Sequence, residues 1–192
     1  VMLGVIIGAR IFMVFWDPQN FLYKPLNLFK IWQGGMSFHG GLVGSIVGAY
    51  IYCKKKHLNF WKVADLISVP VIFALTLGRI ANFINGELYG RTTDAWVGMV
   101  FPTGGPDPRH PSQLYEAVLE GLVLFFVLYF AYNFTNARKK PGLITGMFII
   151  GYAIARTIVE QFREPDDHLG FLFGTDFITM GSLLSTPMIL FG

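Results

Sequence analysis

Leu66-Ile67-Ser68-Val69-Pro70-Val71-Ile72-Phe73-Ala74-Leu75-Thr76-Leu77 runs directly into Gly78-Arg79-Ile80-Ala81-Asn82-Phe83-Ile84-Asn85-Gly86-Glu87-Leu88-Tyr89-Gly90-Arg91. The first half reads as helix embedded in a bilayer. The second half brings an arginine, two asparagines and a glutamate between Arg79 and Glu87. Arginine deep in a membrane costs about 2.5–3.5 kcal/mol on insertion scales. A chain tolerates that cost where the charge faces a polar cavity or an anionic ligand. The stretch therefore predicts a membrane protein whose work concerns a negatively charged group at bilayer depth.

Composition extends this reading to the whole chain. Residues are 53% hydrophobic and 14% charged, with a mean hydropathy of +0.51. Soluble domains carry about 25% charged residues, so an integral membrane protein is expected. The 192 residues suffice for about six helical crossings at roughly 20 residues each. Val1 precedes Met2 without a charged leader, and Gly192 falls inside an apolar run. The expectation is a fragment lacking an upstream helix and the end of its last one. No cleavable signal peptide is visible. Cys53 is the sole cysteine, beside Lys54-Lys55-Lys56, so no intrachain disulfide forms; a passive thiol is expected there rather than a catalytic one. The net charge of +3 gathers at helix ends, which marks topology and not a nucleic-acid footprint.

The predicted architecture is an all-α polytopic helical bundle forming one membrane-embedded domain over residues 1–192. Spans are expected over about Met2–Trp16, Gly40–Cys53, Val63–Ile84, Gln113–Phe134 and Gly142–Phe162, with a sixth beginning near Asp176. Pro70 is a candidate kink or re-entrant turn. Asp17–Phe38, rich in aromatics, suits the membrane interface. The loop region 85–112 is polar and rich in Gly and Pro. Lys54–Lys56 and Arg138–Lys140 lie two loops apart, so both fall on one side, which the positive-inside rule makes cytoplasmic. The loop 85–112 then faces the periplasm, and the polar residues cluster toward that half. No internal repeat is evident.

Four groups of residues are candidates for chemistry. His39 opens a span at Ser37-Phe38-His39-Gly40-Gly41-Leu42-Val43-Gly44. An imidazole is a candidate proton shuttle; alternatively a loop carbonyl satisfies it. Gly40, Gly44 and Gly48 share a face for close helix packing. Arg79, Asn82, Asn85 and Gly86 recur at helical spacing, and guanidinium and amide donors match phosphate oxygens. Glu87 is a candidate to orient Arg79 or Arg91, or to act as a base. The alternative for Arg79 is a structural interhelical salt bridge with a carboxylate such as Asp65. Tyr152, Arg156, Glu160 and Arg163 fall within about an 80° sector of one helix and must face the bundle interior. They are either a second phosphate-binding guanidinium with its orienting carboxylate or an ion-pair ladder. In Arg109-His110-Pro111-Ser112-Gln113-Leu114-Tyr115-Glu116, Ser112 reads as an N-cap with Glu116 and Glu120 following on one face. Arg109 and His110 are placed to touch a lipid headgroup. The four histidines lack metal-ligand spacing, so no metal or other cofactor is expected.

These motifs, collinear along nearly the whole chain, resemble bacterial prolipoprotein diacylglyceryl transferases. The block from Gly78 to Arg91 carries most of the resemblance, with the His39, Arg109–Glu116 and Gly151–Asp166 motifs beside it. The resemblance implies a seven-helix protein of the bacterial inner membrane, with its active site toward the periplasmic leaflet. It implies transfer of a diacylglyceryl group from phosphatidylglycerol to the lipobox cysteine of a prolipoprotein signal peptide. The products are a thioether and glycerol phosphate. Arg79 matches the family's phosphatidylglycerol-binding arginine and His39 its essential histidine. Asn82, Glu87 and Gly90 match signature positions, and Tyr152, Arg156, Glu160 and Arg163 match the polar stripe of the penultimate helix. The family's first helix, with a functionally important tyrosine, has no counterpart here, and the loop around Gly104-Gly105 is short.

The residues fit that chemistry when read by themselves. Displacing phosphate from a glyceryl carbon requires the leaving charge to be neutralised, which Arg79 and Arg156 can do. The attacking thiol belongs to the substrate, so Cys53 need not act. His39, or else Glu87 or Glu160, is the candidate proton acceptor. The catalytic set is then His39, Arg79, Arg156, Glu87 and Glu160. The substrate-binding set is Arg79, Asn82, Asn85, Gly90, Tyr152, Arg156, Arg163 and His110. The expected partners are phosphatidylglycerol, the prolipoprotein and membrane lipid, with no nucleic acid. A lipid or anion transporter and a membrane scaffold are the rival classes. Single cysteines placed near Lys55, Lys139 and Asp94, with Cys53 replaced, test the topology. An impermeant reagent on intact cells is expected to label the Asp94 position only. Labelling near Lys55 from outside reverses the orientation.

Overall fold

The computed structural model describes residues 1–16, 37–164 and 180–192. The aromatic loop expected before Ser37 and the start of the last span near Asp176 lie outside the described residues. The regular elements are helices: α1 (Met2–Trp16), α2 (Phe38–Lys55), α3 (Phe60–Asn85), α4 (Ser112–Glu116), a π-helical stretch (Ala117–Val123), α5 (Leu124–Phe134), a 3-10 turn (Ala137–Lys139), α6 (Leu143–Val159) and α7 (Met180–Phe191). The expected all-α class and its helix boundaries agree closely with these. Among the described residues, Phe60–Asn85 and Ser112–Phe134 are long and apolar enough to cross a membrane, and Met2–Val14 and Leu143–Val159 are shorter apolar helices. The chain divides into two compact units, Val1–Val63 and Ala64–Gly192.

In the first unit, α1 packs on α2 backbone to backbone. A Cβ added at Gly4, Gly8, Gly40 or Gly44 would collide with main-chain atoms of the facing helix. With no hydrophobic drive between helices in lipid, such close approach supplies the van der Waals contact that holds them. Ser37 is the N-cap of α2: its Oγ accepts from the Gly40 N–H at 3.3 Å. His57, with φ 55°, ends the other terminus, where the Leu58 N–H donates to the Cys53 carbonyl at 2.8 Å.

In the second unit, Ile72, Leu124, Leu128, Ala137 and Ile144 form the core. The spans around it present Leu66, Phe73, Leu77, Phe126 and Phe130 outward, an apolar surface suited to lipid. Pro70 sits inside α3; the helix continues through it. At Gly121 a Cβ would strike Thr76, so the glycine lets the π-helical stretch lie directly on α3. Thr76 is one turn from Arg79, which fixes the depth at which that arginine meets the neighbouring span.

The expected alternative for Arg79, an interhelical salt bridge with a carboxylate, is present, but its partner is Glu116, at 3.1 Å, and not Asp65. Asp65 is buried, at 3% exposure, and pairs with no arginine. Its Oδ2 accepts from the Gly142 N–H at 2.8 Å, and its Oδ1 accepts from the Thr145 N–H at 2.8 Å and the Thr145 Oγ1 at 2.7 Å. Asp65 thus caps α6 from another helix, satisfying orphan N–H groups and complementing the helix dipole. Removing a buried charged acceptor strands these donors, so Asp65→Ala is expected to cost about 2–4 kcal/mol. Asp65→Asn, which retains one acceptor oxygen, should lose less. Thermal unfolding in detergent measures both; an Asp65→Ala melting point equal to wild type would remove the cap from the account of stability.

Candidate functional site

Three elements of the second unit bring ionisable side chains to one place. Arg79 comes from α3, Glu116 and Glu120 from α4 and the π-helical stretch after it, and Arg156, Glu160 and Arg163 from α6 and the turn beyond. Glu116 is the hub, with its side chain 1% exposed. Its Oε1 accepts from Arg156 Nη1 at 2.8 Å and lies 4.0 Å from Arg163 Nε. Its Oε2 stands 3.1 Å from Arg79 Nε. Glu120 lies 3.6 Å from both Arg79 Nη2 and Arg156 Nη1. Glu160 pairs with Arg156 Nη2 at 2.9 Å, one turn along the helix. Tyr152 stands one turn before Arg156, within electrostatic reach of Glu120, Arg156 and Arg79.

This arrangement is the ion-pair reading of the polar stripe, extended to a second helix. The Arg156–Glu160 pair is an i,i+4 ion pair, and the same arginine reaches across to another helix. Glu116 and Glu120 are the residues that sequence reading left without a role. Their signal lies in position: two carboxylates inside a 23-residue apolar span need cationic partners from other spans. The π-helical segment that carries Glu120 is a feature often found at functional sites. Ser112, expected as the N-cap, is instead the first helical residue after Pro111, and its Oγ donates to the Leu88 carbonyl at 3.0 Å.

The end of α3 builds a second group. The Gly86 N–H bonds the Phe83 carbonyl and the Glu87 N–H bonds the Asn82 carbonyl, both at 3.0 Å. This is a glycine-terminated helix end with Gly86 at φ +67°. The reversal brings Glu87 back beside the helix. Its Oε1 accepts from Asn82 Nδ2 at 2.8 Å and from Asn85 Nδ2 at 3.3 Å. Glu87 therefore orients the two amides rather than Arg79 or Arg91. Arg91 Nε donates to the Arg163 carbonyl at 2.7 Å.

The loop after Gly86 is tied down at several points. Met99 and Arg109 exchange main-chain hydrogen bonds at 2.9 and 2.8 Å, and Gly90 N–H donates to the His110 carbonyl at 2.8 Å. A Cβ at Gly90 would strike the Phe162 and His110 carbonyls, so the glycine permits this crossing of the loop with the end of α6. Arg109 stacks 4.9 Å over the Tyr89 ring and donates to Glu164 at 2.7 Å and the Gly104 carbonyl at 2.9 Å. It is thus a strut of the loop, which its expected headgroup contact did not anticipate. His110 Nδ1 lies 3.1 Å from the Tyr115 hydroxyl, and the His110 ring packs edge-on to Phe162. His39 belongs to the first unit, at the exposed start of α2.

The comparisons with known proteins agree on one family. The family model described as prolipoprotein diacylglyceryl transferase matches residues 1–192. The chain is similar to the phosphatidylglycerol–prolipoprotein diacylglyceryl transferase of Rhizobium leguminosarum bv. trifolii, at 52% identity over 99% of this chain and 68% of the relative. It is similar to that of Rickettsia bellii at 48%, covering 99% and 72%, and to that of Shewanella sp. ANA-3 at 53%, covering 99% and 69%.

Glu87 has a protonation signature that tests its place. The Asn82 amide, then the Asn85 amide, favour the carboxylate and hold its pKa below the usual glutamate value. A depressed folded-state pKa stabilises the fold above the unfolded value, and that contribution is lost as pH falls through the folded value. Wild type is therefore expected to lose thermal stability below about pH 4 in a step that Glu87→Gln lacks. At neutral pH and above, the two unfolding profiles should run parallel. A difference growing on the alkaline side would show that Glu87 titrates there and is free to act as a base.

Proposed function

The chain belongs to the prolipoprotein diacylglyceryl transferase family, and we propose that its buried arginine–carboxylate network is where the lipid phosphate is held. The chain is a transferase: it moves the diacylglyceryl group of phosphatidylglycerol to a prolipoprotein, the first step of lipoprotein maturation. In the reaction, the lipobox cysteine sulfur attacks the glyceryl carbon that bears the phosphate. A carbon–sulfur bond forms, the carbon–oxygen bond breaks, and glycerol phosphate leaves. The thiol proton passes to a base.

The observation that carries the reading is the meeting of Arg79 and Arg156, from two different helices, at Glu116. Two guanidiniums converging in a low-dielectric interior are suited to a phosphodiester, and to the charge that grows on it as the carbon–oxygen bond breaks. Glu160 fixes Arg156 from its own helix, and Arg163 adds positive charge at the rim. Asn82 and Asn85, held by Glu87, line the approach with neutral donors; Gly90 and His110 frame it, and Tyr152 closes the deep side. His39, or else Glu87 or Glu160, is the proton acceptor on sequence grounds, as an imidazole or a carboxylate can serve as general base.

The setting is the bacterial inner membrane, in a single domain crossed by about six helices over residues 1–192. Lys54–Lys56 and Arg138–Lys140 face the cytoplasm, and the loop 85–112 faces the periplasm. The site then opens toward the leaflet from which a lipoprotein signal peptide presents its cysteine. The reading is tested with membranes carrying the protein, phosphatidylglycerol and a lipobox peptide. The peptide should gain the mass of one diacylglyceryl unit. Arg79→Ala should insert normally and lose transfer, and Arg79→Lys should recover little, because lysine lacks the planar fork. Wild-type turnover by Arg79→Ala at saturating lipid would remove the phosphate role.

A further inference from the structure

The two arginines at the hub are not held alike. Arg156 Nη1 makes a well-aligned hydrogen bond to Glu116 Oε1 at 2.8 Å, and Arg156 Nη2 lies 2.9 Å from Glu160. Arg79 has ion pairs only: Nε is 3.1 Å from Glu116 Oε2 and Nη2 is 3.6 Å from Glu120. Glu116 Oε2 is buried and has no hydrogen-bond partner despite that closeness. The Arg79 side chain is also the more open of the two, at 21% against 11% exposure. A guanidinium offers five N–H donors, and those of Arg79 face carboxylates without the alignment that would satisfy them.

We infer that Glu116 is a positioning residue that acts as an internal counter-anion, holding Arg79 in place before lipid binds and competing with the lipid phosphate for it. The inference rests on the phosphate reading above. Arriving phosphatidylglycerol displaces the Arg79–Glu116 contact while Arg156 stays bonded to the hub. When glycerol phosphate leaves, Glu116 takes Arg79 back. The competition weakens ground-state lipid binding and speeds product release, so turnover is not trapped by two arginines gripping a dianion. Facing Glu116 are Arg79 from α3, Arg156 and Arg163 from the α6 side, and Glu120 from its own span.

The test uses the full chain in detergent, with dihexanoyl-phosphatidylglycerol as ligand, read by calorimetry, and glycerol phosphate as product inhibitor. Glu116→Gln keeps the size of the side chain and an acceptor for Arg156 while removing the competing charge. Phosphatidylglycerol should bind about tenfold tighter and glycerol phosphate should inhibit about tenfold more strongly, the order expected for one partly screened charge at this range. KM and kcat should fall together. Glu116→Asp keeps the charge the bundle needs and draws it back from Arg79, so it should tighten binding in the same direction by a smaller factor. It carries the test if the glutamine variant is not recovered folded. Loss of a purely structural contact does not tighten a ligand. Unchanged or weakened lipid affinity in whichever folded variant is measured overturns the inference. Arg79→Ala, run beside them, separates the two readings. If it binds lipid like wild type, the phosphate site itself is misplaced. If it loses binding while the Glu116 variants fail to tighten, only the competition is wrong.

Discussion

Glu116 meets Arg156 and Arg79 in a place where water is scarce, and neither sign of charge is stable there alone. An isolated ion in a low-dielectric interior carries a desolvation penalty of several kcal/mol, and removing one partner of a buried pair leaves that penalty uncompensated. The helices of the second unit are therefore constrained to deliver their charges to the same depth. Gly121 against Thr76 sets the contact of the π-helical stretch with α3, one turn from Arg79. Asp65, by capping α6 at Gly142 and Thr145, sets where Arg156 stands along its axis. Packing and electrostatics are two expressions of one requirement: the apolar surface that suits lipid leaves only the interior for ions.

The loop between α3 and α4 extends the same logic outward. Arg109, Tyr89, Glu164 and the Gly104 carbonyl form a knot of charged and aromatic contacts, and Gly90 lets the loop lie against the end of α6. The loop is thereby tied to the helix that carries Arg156. Beside it, Glu87 commits both amides of Asn82 and Asn85. The two amides are thus held in place by the fold, so that their side-chain entropy is already spent.

Hydropathy and charge made the all-α membrane class legible, and helix boundaries followed from apolar runs closed by Lys54–Lys56, Gly86 and Arg138–Lys140. Helical spacing put Tyr152, Arg156, Glu160 and Arg163 on one face, and the glycines of α2 on another, because a period of 3.6 residues is a local property of the chain. The motif from Gly78 to Arg91 sufficed to single out Arg79. Partners were not legible in the same way. Which carboxylate meets Arg79 depends on which span lies opposite and at what register, and spacing along one helix carries no information about another. Asp65 and Glu116 are both acids inside apolar helices; only the packing sends the first to the α6 N-terminus and the second to the arginines. The unequal grip on Arg79 and Arg156 belongs to the tertiary structure for the same reason: it is a matter of angles between helices, decided where α3, α4 and α6 pack.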